Sequence, residues 1–414
     1  MRMLVLGAGL QGSACAFDLL QNPAVSEVRL ADLNVSRLPA FLAPFTDQSV
    51  VGSGKARLLP TPLDARDAEA VRALMRQSDA VMSALPYYFN FPMARYAVEC
   101  DAHFCDLGGN TEIVFQQKGL DAQAKAAGVS VIPDCGLAPG MVNILAQHGI
   151  TLLEADGATV QSVRIFVGGL PQRPEPPLNY QIVYSLEGVL DYYTTRSSVV
   201  RDGKQQGVTA LSEIERVDFA SNPELGALEA FHTAGGLSTM GFRYEGKIPT
   251  MEYKTLRYPG HAQIMEAIRE LGFFDLEPVD VKGQRVVPRD LAIAVMQPRL
   301  TKPASPDLVA LRVVVEGTRG GERVSRGWEL VDRYDEQRGI SAMMRTTGYS
   351  LSITGQLQAS GAIPAGVHTP DESVPAQRYI DELAQRGIAV HEIDAERRVS
   401  GGDRRDVEDR RATV

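Results

Sequence analysis

Gly7, Gly9 and Gly12 form a Gly-x-Gly-x-x-Gly between an apolar run at residues 3–6 and a helical pattern, and a second apolar run closes at Asp32. Each position has a physical task. A glycine at 7 permits a tight strand-to-helix turn, one at 9 lets the backbone approach a pyrophosphate, and one at 12 brings the helix close to the strand. The helix start, at Leu10 and Gln11, then offers free N–H groups and the positive end of a dipole to phosphates. Asp32 stands where a carboxylate accepts hydrogen bonds from the hydroxyls of an adenosine ribose. A 2′-phosphate would meet that negative charge, and Leu33-Asn34-Val35 supplies no arginine before Arg37, so NAD is expected rather than NADP. Asp64, Ala84, Leu85 and Pro86 complete the expected cofactor positions.

These residues need a scaffold, and the periodicity around them describes one. Apolar β-type runs at 3–6, 28–31, 79–84, 103–106 and 129–132 alternate with helical periods at 12–21, 66–76, 91–99 and 117–127. Such alternation implies a parallel sheet with crossover helices. The run at 79–84 ends in small residues and a proline, that at 103–106 leads into Gly108-Gly109, and that at 129–132 into Pro133-Asp134-Cys135-Gly136. Strand carboxyl ends of this kind border the ligand crevice of a doubly wound sheet. After a helix over 141–153 the pattern changes to longer, more alternating strands at 160–167, 179–184, 197–201, 207–211, 309–316 and 326–333, with helices near 223–230 and 260–271. The expected fold is therefore α/β: an N-terminal Rossmann dinucleotide-binding domain (1–137) and a second α+β domain on a mixed sheet (138–336) for substrate binding and dimerisation. A helix over 337–362, within a segment reaching 392, returns to the first domain, and a charged tail at 393–414 is expected to be disordered.

Composition narrows the function class. The 414 residues are 44% hydrophobic and 22% charged with a formal net charge of −9, which argues against nucleic-acid or anionic-membrane partners. No apolar run is long enough to span a bilayer, the N-terminus lacks signal-peptide anatomy, and a cytoplasmic location is expected. Four cysteines without a CxxC pair and six scattered histidines without HxxxH or HExxH spacing indicate neither a disulfide framework nor a metal site. Gly-x-Ser-x-Gly is also absent, so the chemistry is expected to reside in the cofactor.

Several motifs carry a resemblance. The N-terminal GAGLQG with Asp32, Asp106-Leu107-Gly108-Gly109, Gly136-Leu137-Ala138-Pro139-Gly140-Met141 and Arg345-Thr346-Thr347-Gly348-Tyr349 resemble the saccharopine dehydrogenase (saccharopine reductase) superfamily. Residues 167–180, Tyr184-Ser185-Leu186-Glu187-Gly188, residues 228–233 and residues 252–261 resemble lysine 6-dehydrogenase more specifically. The resemblance implies oxidation of L-lysine at its ε-carbon by NAD, releasing ammonia and a 6-semialdehyde that cyclises. A saccharopine-type dehydrogenase acting on a secondary amine, and a non-catalytic NAD-binding regulator, are the alternatives.

Such chemistry sets requirements of its own. An aliphatic ammonium with a pKa near ~10.4 must lose a proton before hydride can leave the neighbouring carbon. The substrate's far end needs an arginine for its carboxylate and an acid for its ammonium. Arg173 and Arg257 can each fork a carboxylate, or pair with Glu175 and Glu252. Glu187 can hold an ammonium or cap a helix, and Asn179 and Tyr180 can line the pocket or simply pack. Lys254, lying in a strand-like alternation beside Arg257, is a candidate base if desolvated. His232 and His261 are catalytic or binding candidates at element ends, and Asp106 can orient water or amine, or cap the Gly108-Gly109 turn. Asp134 reads as a structural turn acid and Cys135 as a small buried residue. The expected set is thus Lys254, His232, Asp106 and Glu187 for catalysis and Arg173, Asn179, Tyr180, Arg257 and His261 for substrate, with a small amino acid as partner, a homodimer as assembly and no metal.

Overall fold

The structure is a computed structural model that describes residues 1–46, 56–302 and 305–393. The expected disordered tail lies outside the described residues from 394 onward. The first part of the chain runs β1 (Arg2–Leu6), α1 (Leu10–Leu19), β2 (Glu27–Asp32), β3 (Arg57–Pro62), α2 (Ala68–Met75), β4 (Ala80–Ser83), α3 (Asn90–Glu99), β5 (His103–Asp106), α4 (Thr111–Lys118), α5 (Asp121–Ala127) and β6 (Ser130–Ile132). There follow α6 (Met141–Ala155), β7 (Thr159–Pro171), α7 (Leu186–Thr194), β8 (Ser197–Arg201), β9 (Lys204–Val208), β10 (Glu215–Asp218), β11 (Ala227–His232), α8 (Met240–Tyr244), β12 (Thr250–Arg257) and α9 (His261–Glu270). The chain closes with β13 (Val279–Val281), β14 (Gln284–Val286), α10 (Pro288–Leu300), β15 (Asp307–Arg319), β16 (Glu322–Arg333), α11 (Ala342–Ala359), β17 (Gly366–Val367), α12 (Pro370–Ser373), α13 (Ala376–Gln385) and β18 (His391–Ile393).

The first sheet has the order β3-β2-β1-β4-β5-β6-β17, parallel throughout. Order reverses between β1 and β4, and ligands of doubly wound sheets bind at the carboxyl ends beside such a reversal. Apolar residues cover both faces, with Val5, Val28 and Met82 in one core cluster and Leu4, Val81 and Phe104 in the other. The strand β3 has no counterpart among the predicted runs. It contains Pro60 and Pro62, which weaken a strand signature but are tolerated at the sheet edge, where β3 lies.

The second sheet runs β10-β11-β12-β7-β15-β16-β18, with β8 and β9 attached through β12. It is mixed, because β12 pairs parallel with β7 while its other neighbours are antiparallel. Two expectations fail here. Residues 223–230 were expected to form a helix, but only Pro223–Leu225 make a short 3-10 turn and the remainder joins β11. The helical composition of Ala-Leu-Glu-Ala is overridden by pairing with β10 and β12. Residues 179–184, expected as a strand, are turn and coil that pack Leu178 and Tyr180 into an apolar cluster.

The helix α11 ties the two sheets together. The Asp307 carboxylate at the start of β15 accepts hydrogen bonds from the Ala342 and Met343 amides at 2.8 and 2.9 Å, capping its N-terminus. Arg345 pairs with Asp332 of β16 at 2.9 Å. Further along, Gly348 lies so close to α1 that a Cβ would come within 2.7 Å of Ala14 Cβ. Ser352 and Gln356 donate to Asp18, a buried acid of α1 that also pairs with Arg386 at 2.7 Å. Burial pushes the Asp18 carboxyl up, while Arg386 holds it down. Replacing Arg386 with alanine leaves this acid without its cation, and the expected loss is about 3 kcal/mol at pH 8. Removing the cation raises the Asp18 pKa further, so the loss should shrink towards pH 5 as the acid protonates. Denaturant unfolding of Arg386→Ala and wild type at both pH values measures the difference.

Candidate functional site

The glycine loop has the geometry its spacing requires. Gly7 has φ +97°, and Gly12 packs so tightly that a Cβ would lie 1.8 Å from the Gly7 carbonyl oxygen. Above Gly9 the space is open, with no atom within 4 Å of an added Cβ. No side chain caps α1, which leaves the first-turn amides at Leu10 and Gln11 for a phosphate. Asp32 Oδ2 accepts from the Ala8 amide at 2.7 Å and Oδ1 from Asn34 at 3.0 Å, fixing the loop against the end of β2. The Ala84 carbonyl lies beside Gly7, and Leu85 and Pro86 follow the end of β4 as expected. Asp64 differs from expectation. Arg66 forks its carboxylate, whose pKa is lowered to about 2 by those hydrogen bonds, so the acid is already engaged.

Two adjoining chambers lie where the carboxyl ends of the first sheet face the second sheet. The inner one, of about 240 Å³, is bounded by Gln11, Leu107 and Gly136 on one side and by Tyr253, Thr255 and Arg257 on the other, with Met343 and Thr347 contributed by α11. The outer one, of about 530 Å³, is bounded by Asn110, Glu112, Asp134, Asp191 and Ser238. Pro139, Tyr192 and Ala234 line both.

Arg257 dominates the inner chamber. It is 4% exposed, its Nη1 donates to the Leu256 carbonyl at 2.8 Å, its Nε has no hydrogen-bond partner, and its guanidinium lies 4.8 Å from the centre of the Tyr180 ring. Among the described residues no carboxylate pairs with it. Glu229, opposite it across the β11–β12 pair, is occupied by the Gly260 and Ala262 amides at the start of α9. Burial presses the Arg257 pKa down, but the hydroxyls of Tyr193, Tyr180 and Tyr184 push it up by more, and the group stays charged. A buried cation without an anion is the condition a bound carboxylate relieves.

Lys254 and His232 belong elsewhere, which corrects the expectation that they act on substrate. Side chains alternate along β12, so Tyr253, Thr255 and Arg257 face the chamber while Glu252 and Lys254 face the other way. Lys254 is ion-paired with Glu215 at 2.7 Å, and His232, its cross-strand partner, lies 3.2 Å from Glu213. Burial and the Lys254 charge hold the His232 pKa low. Glu213, His232 and Glu252 are the one group among the described residues with metal-ligand spacing. Arg201 and Arg164 already occupy its carboxylates, so the donor set does not fit a cation.

The other candidates separate in the same way. Asp106 is fully buried and holds the turn, accepting from Gly108 at 2.7 Å and from Gln117 at 2.7 Å, with burial raising its pKa to about 6. It acts as the turn cap rather than on water or amine. Glu187 is exposed on α7, whose Ser185 supplies the cap, while Gly188, Asp191 and Tyr192 of the same helix face the outer chamber. Arg173 is exposed beyond the end of β7, outside both chambers. Asn179, at φ +48°, shapes the turn that carries Tyr180. His261 is buried behind Arg257, bonded to Tyr193 Oη at 2.9 Å and to the Leu178 carbonyl at 3.1 Å. Burial and the Arg257 charge drive its pKa to about 3, so it braces the Arg257 pocket as a neutral ring. Cys135 is a buried thiol near the Ile132 carbonyl.

Sequence reasoning missed Thr233, Tyr192 and Tyr253 as lining residues and read Asp134 as a turn acid. The alternation on β12 contained the signal for Tyr253, since it shares a phase with Arg257.

Residues 3–132 match the saccharopine dehydrogenase NADP binding domain, and residues 136–388 match the saccharopine dehydrogenase C-terminal domain. The chain belongs to the saccharopine dehydrogenase family. Its first domain is thus a nicotinamide dinucleotide-binding domain. It is similar to saccharopine dehydrogenase [NADP(+), L-glutamate-forming] of Pyricularia oryzae, 27% identical over 55% of this chain and 50% of that protein. It also resembles the mitochondrial alpha-aminoadipic semialdehyde synthase of Mus musculus, 28% identical over 67% of this chain and 29% of that protein. The aligned part therefore spans half or less of those two relatives. The Schizosaccharomyces pombe saccharopine dehydrogenase [NADP(+), L-glutamate-forming] matches over 94% of this chain and 98% of that protein at 22% identity. The apo saccharopine dehydrogenase (L-Glu forming) structure from Saccharomyces cerevisiae shares the fold, with a TM-score of 0.76, 20% identity and coverage of 95% of this chain and 99% of that one.

Within this family fold the glycine loop separates binding from stability. Gly9 has ordinary extended backbone angles and open space above it, so Gly9→Ala should unfold at the wild-type temperature. It should nevertheless lose about tenfold or more in dinucleotide affinity, or 1.4 kcal/mol, because the methyl occupies the pyrophosphate path. Gly12→Ala should lower the melting temperature itself. Thermal melts and calorimetric titration with the dinucleotide check both.

Proposed function

We propose that this protein oxidises L-lysine at the ε-carbon with NAD, giving NADH, ammonia and the 6-semialdehyde, which cyclises. The observation that carries the reading is the charge distribution of the two chambers. Among their described lining residues Arg257 is the one cation, while Asp134, Asp191 and Glu112 border the outer chamber. A substrate with one carboxylate and a distant amine matches that pattern. Saccharopine carries three carboxylates, two of which would meet no lysine or arginine in these walls. Arg257 anchors the carboxylate, Tyr253 and Thr255 shape the channel beside it, and the amine extends towards the acids. The bound dinucleotide supplies the hydride acceptor.

Asp32 supports NAD over NADP. Its carboxylate stands at the end of β2, where a 2′-phosphate would be repelled, and Arg66, just beyond the neighbouring strand β3, is already forked by Asp64. The names of the fungal relatives favour a second reading, a saccharopine dehydrogenase that uses NADP. Incubating the purified protein with each dinucleotide and each amine, and following absorbance of the reduced cofactor, separates the two. NADH from lysine supports the first reading. Reduction of NADP with saccharopine and none with lysine would assign the second.

The role of Arg257 has its own test. Charge-assisted hydrogen bonds contribute about 1.5–3 kcal/mol, so Arg257→Met should raise KM for lysine about 10- to 100-fold. With 1,5-diaminopentane, which lacks the carboxylate, wild type and variant should perform alike in steady-state assays.

A further inference from the structure

Asp134 is a buried acid of the crevice to which neither carboxylate anchoring nor turn capping assigns a task. Asp134 follows β6, has φ +63°, is 3% exposed and lines the outer chamber. Its Oδ2 accepts a hydrogen bond from Ser238 Oγ at 2.5 Å, a contact from the second domain to the first. Its Oδ1 rests over Gly108, where a Cβ would come within 1.9 Å, and takes no hydrogen bond from a described residue. No lysine or arginine among the described residues forms an ion pair with it. Asp191, the neighbouring acid of the chamber, is paired with Arg289 at 2.5 Å, and Glu112 is exposed. Among the described residues, Asp134 is therefore the buried carboxylate of the crevice that has an oxygen free and no cation of its own.

We propose that Asp134 takes the proton from the substrate ammonium before hydride transfer, and that Ser238 sets the pH at which it can do so. This rests on the amine-oxidation reading above. An N–H bond of the ammonium breaks and an O–H bond forms at Oδ1. The nitrogen keeps the electron pair, which becomes the C=N bond of an iminium as the neighbouring C–H leaves as hydride to the oxidised dinucleotide.

The surroundings suit the role. Burial above all, with the Asp106 and Asp371 charges, raises the carboxyl against the opposing pull of Ser238 and Lys118, and the balance stands at about 7. Tyr192 faces it from α7 as a neutral phenol. A base with a pKa near working pH is the effective one.

The experiment is the pH profile of kcat/KM for lysine between pH 6 and 10 in wild type, Asp134→Asn and Ser238→Ala. Asparagine tolerates the left-handed backbone at 134, so the turn should persist. The wild type should show an acid limb near 7. Asp134→Asn should lose about 10²- to 10⁴-fold near pH 8 and lack that limb, its rate climbing instead towards the ammonium pKa of ~10.4. Ser238→Ala should move the limb up by about one pH unit, since it removes a hydrogen bond to the ionised form. A readout independent of turnover is stability. Stability held by a buried acid whose folded pKa is raised is lost as pH rises from its unfolded pKa near ~3.9 through the folded value of about 7, and the loss is complete at pH 9, so Asp134→Asn should melt at or above the wild-type temperature there. An unchanged acid limb in Asp134→Asn would overturn the proposal. Should saccharopine and not lysine be oxidised, the substrate reading fails alone, and the same three profiles taken with saccharopine decide the role of Asp134. A wild type inactive on both amines overturns both.

Discussion

The crevice exists because α11 is held from two sides at once. Asp307 and Asp332, on β15 and β16, fix its N-terminal turn, while Asp18 of α1 accepts from its middle through Ser352 and Gln356. Gly348 lets α11 and α1 approach to a distance no side chain would allow. This constraint fixes Met343 and Thr347 in the inner wall and, through α1, sets the glycine loop relative to the second sheet. The acids involved are buried, so each contact is strong only while its partner remains. The two sheets are thereby joined by polar contacts that tolerate few substitutions as well as by apolar packing.

The second organising feature is the phase of β12. One strand carries Arg257 on the chamber side and Lys254 on the far side, and the fates of the two cations are opposite. Lys254 enters a network with Glu215, Glu213, Arg201, Arg164 and Glu252, in which charges of both signs are matched. Arg257 is enclosed by aromatic rings and hydroxyls, and among the described residues no acid pairs with it. Leaving a buried cation unmatched costs stability, and a site that recognises a carboxylate regains it on binding. A surplus of this kind marks a binding group more firmly than residue type does.

The same strand explains how far the sequence could be read. The dinucleotide loop was legible because Gly7, Gly9, Gly12 and Asp32 act through local backbone geometry within about one strand-helix-strand unit. Lys254 was misassigned because a two-residue period identifies two faces without saying which one looks into the crevice. That choice depends on Glu213 and Glu215, some forty residues earlier, and on the parallel pairing with β7. The helix expected at 223–230 failed for a related reason, since local propensity lost to pairing on both sides. Asp106 and Asp134 both follow a core strand, and by sequence Asp106 is the catalytic candidate and Asp134 the structural turn acid. They diverge only in their neighbours: the first is satisfied by Gly108 and Gln117, the second by a single serine from the other domain.

That last contrast bears on how the two domains cooperate. Asp106 completes its hydrogen bonds within the dinucleotide domain and therefore needs nothing from the second domain to hold its turn. Asp134 depends on Ser238, at φ +46° just before α8, for the contact that favours its ionised form. A serine in that left-handed conformation is uncommon, and its backbone amide is tied to the Gly235 carbonyl at 3.1 Å. The segment 235–238 thus presents the hydroxyl to the acid at one defined distance. Motion that separated the domains would admit water to the carboxylate, undoing the burial that raises its affinity for a proton, and would at the same time remove the Ser238 hydroxyl that lowers it, with burial the larger influence. The electrostatic state of the crevice acid is in this way coupled to domain contact, while the glycine loop, built within one domain, keeps its geometry in either case.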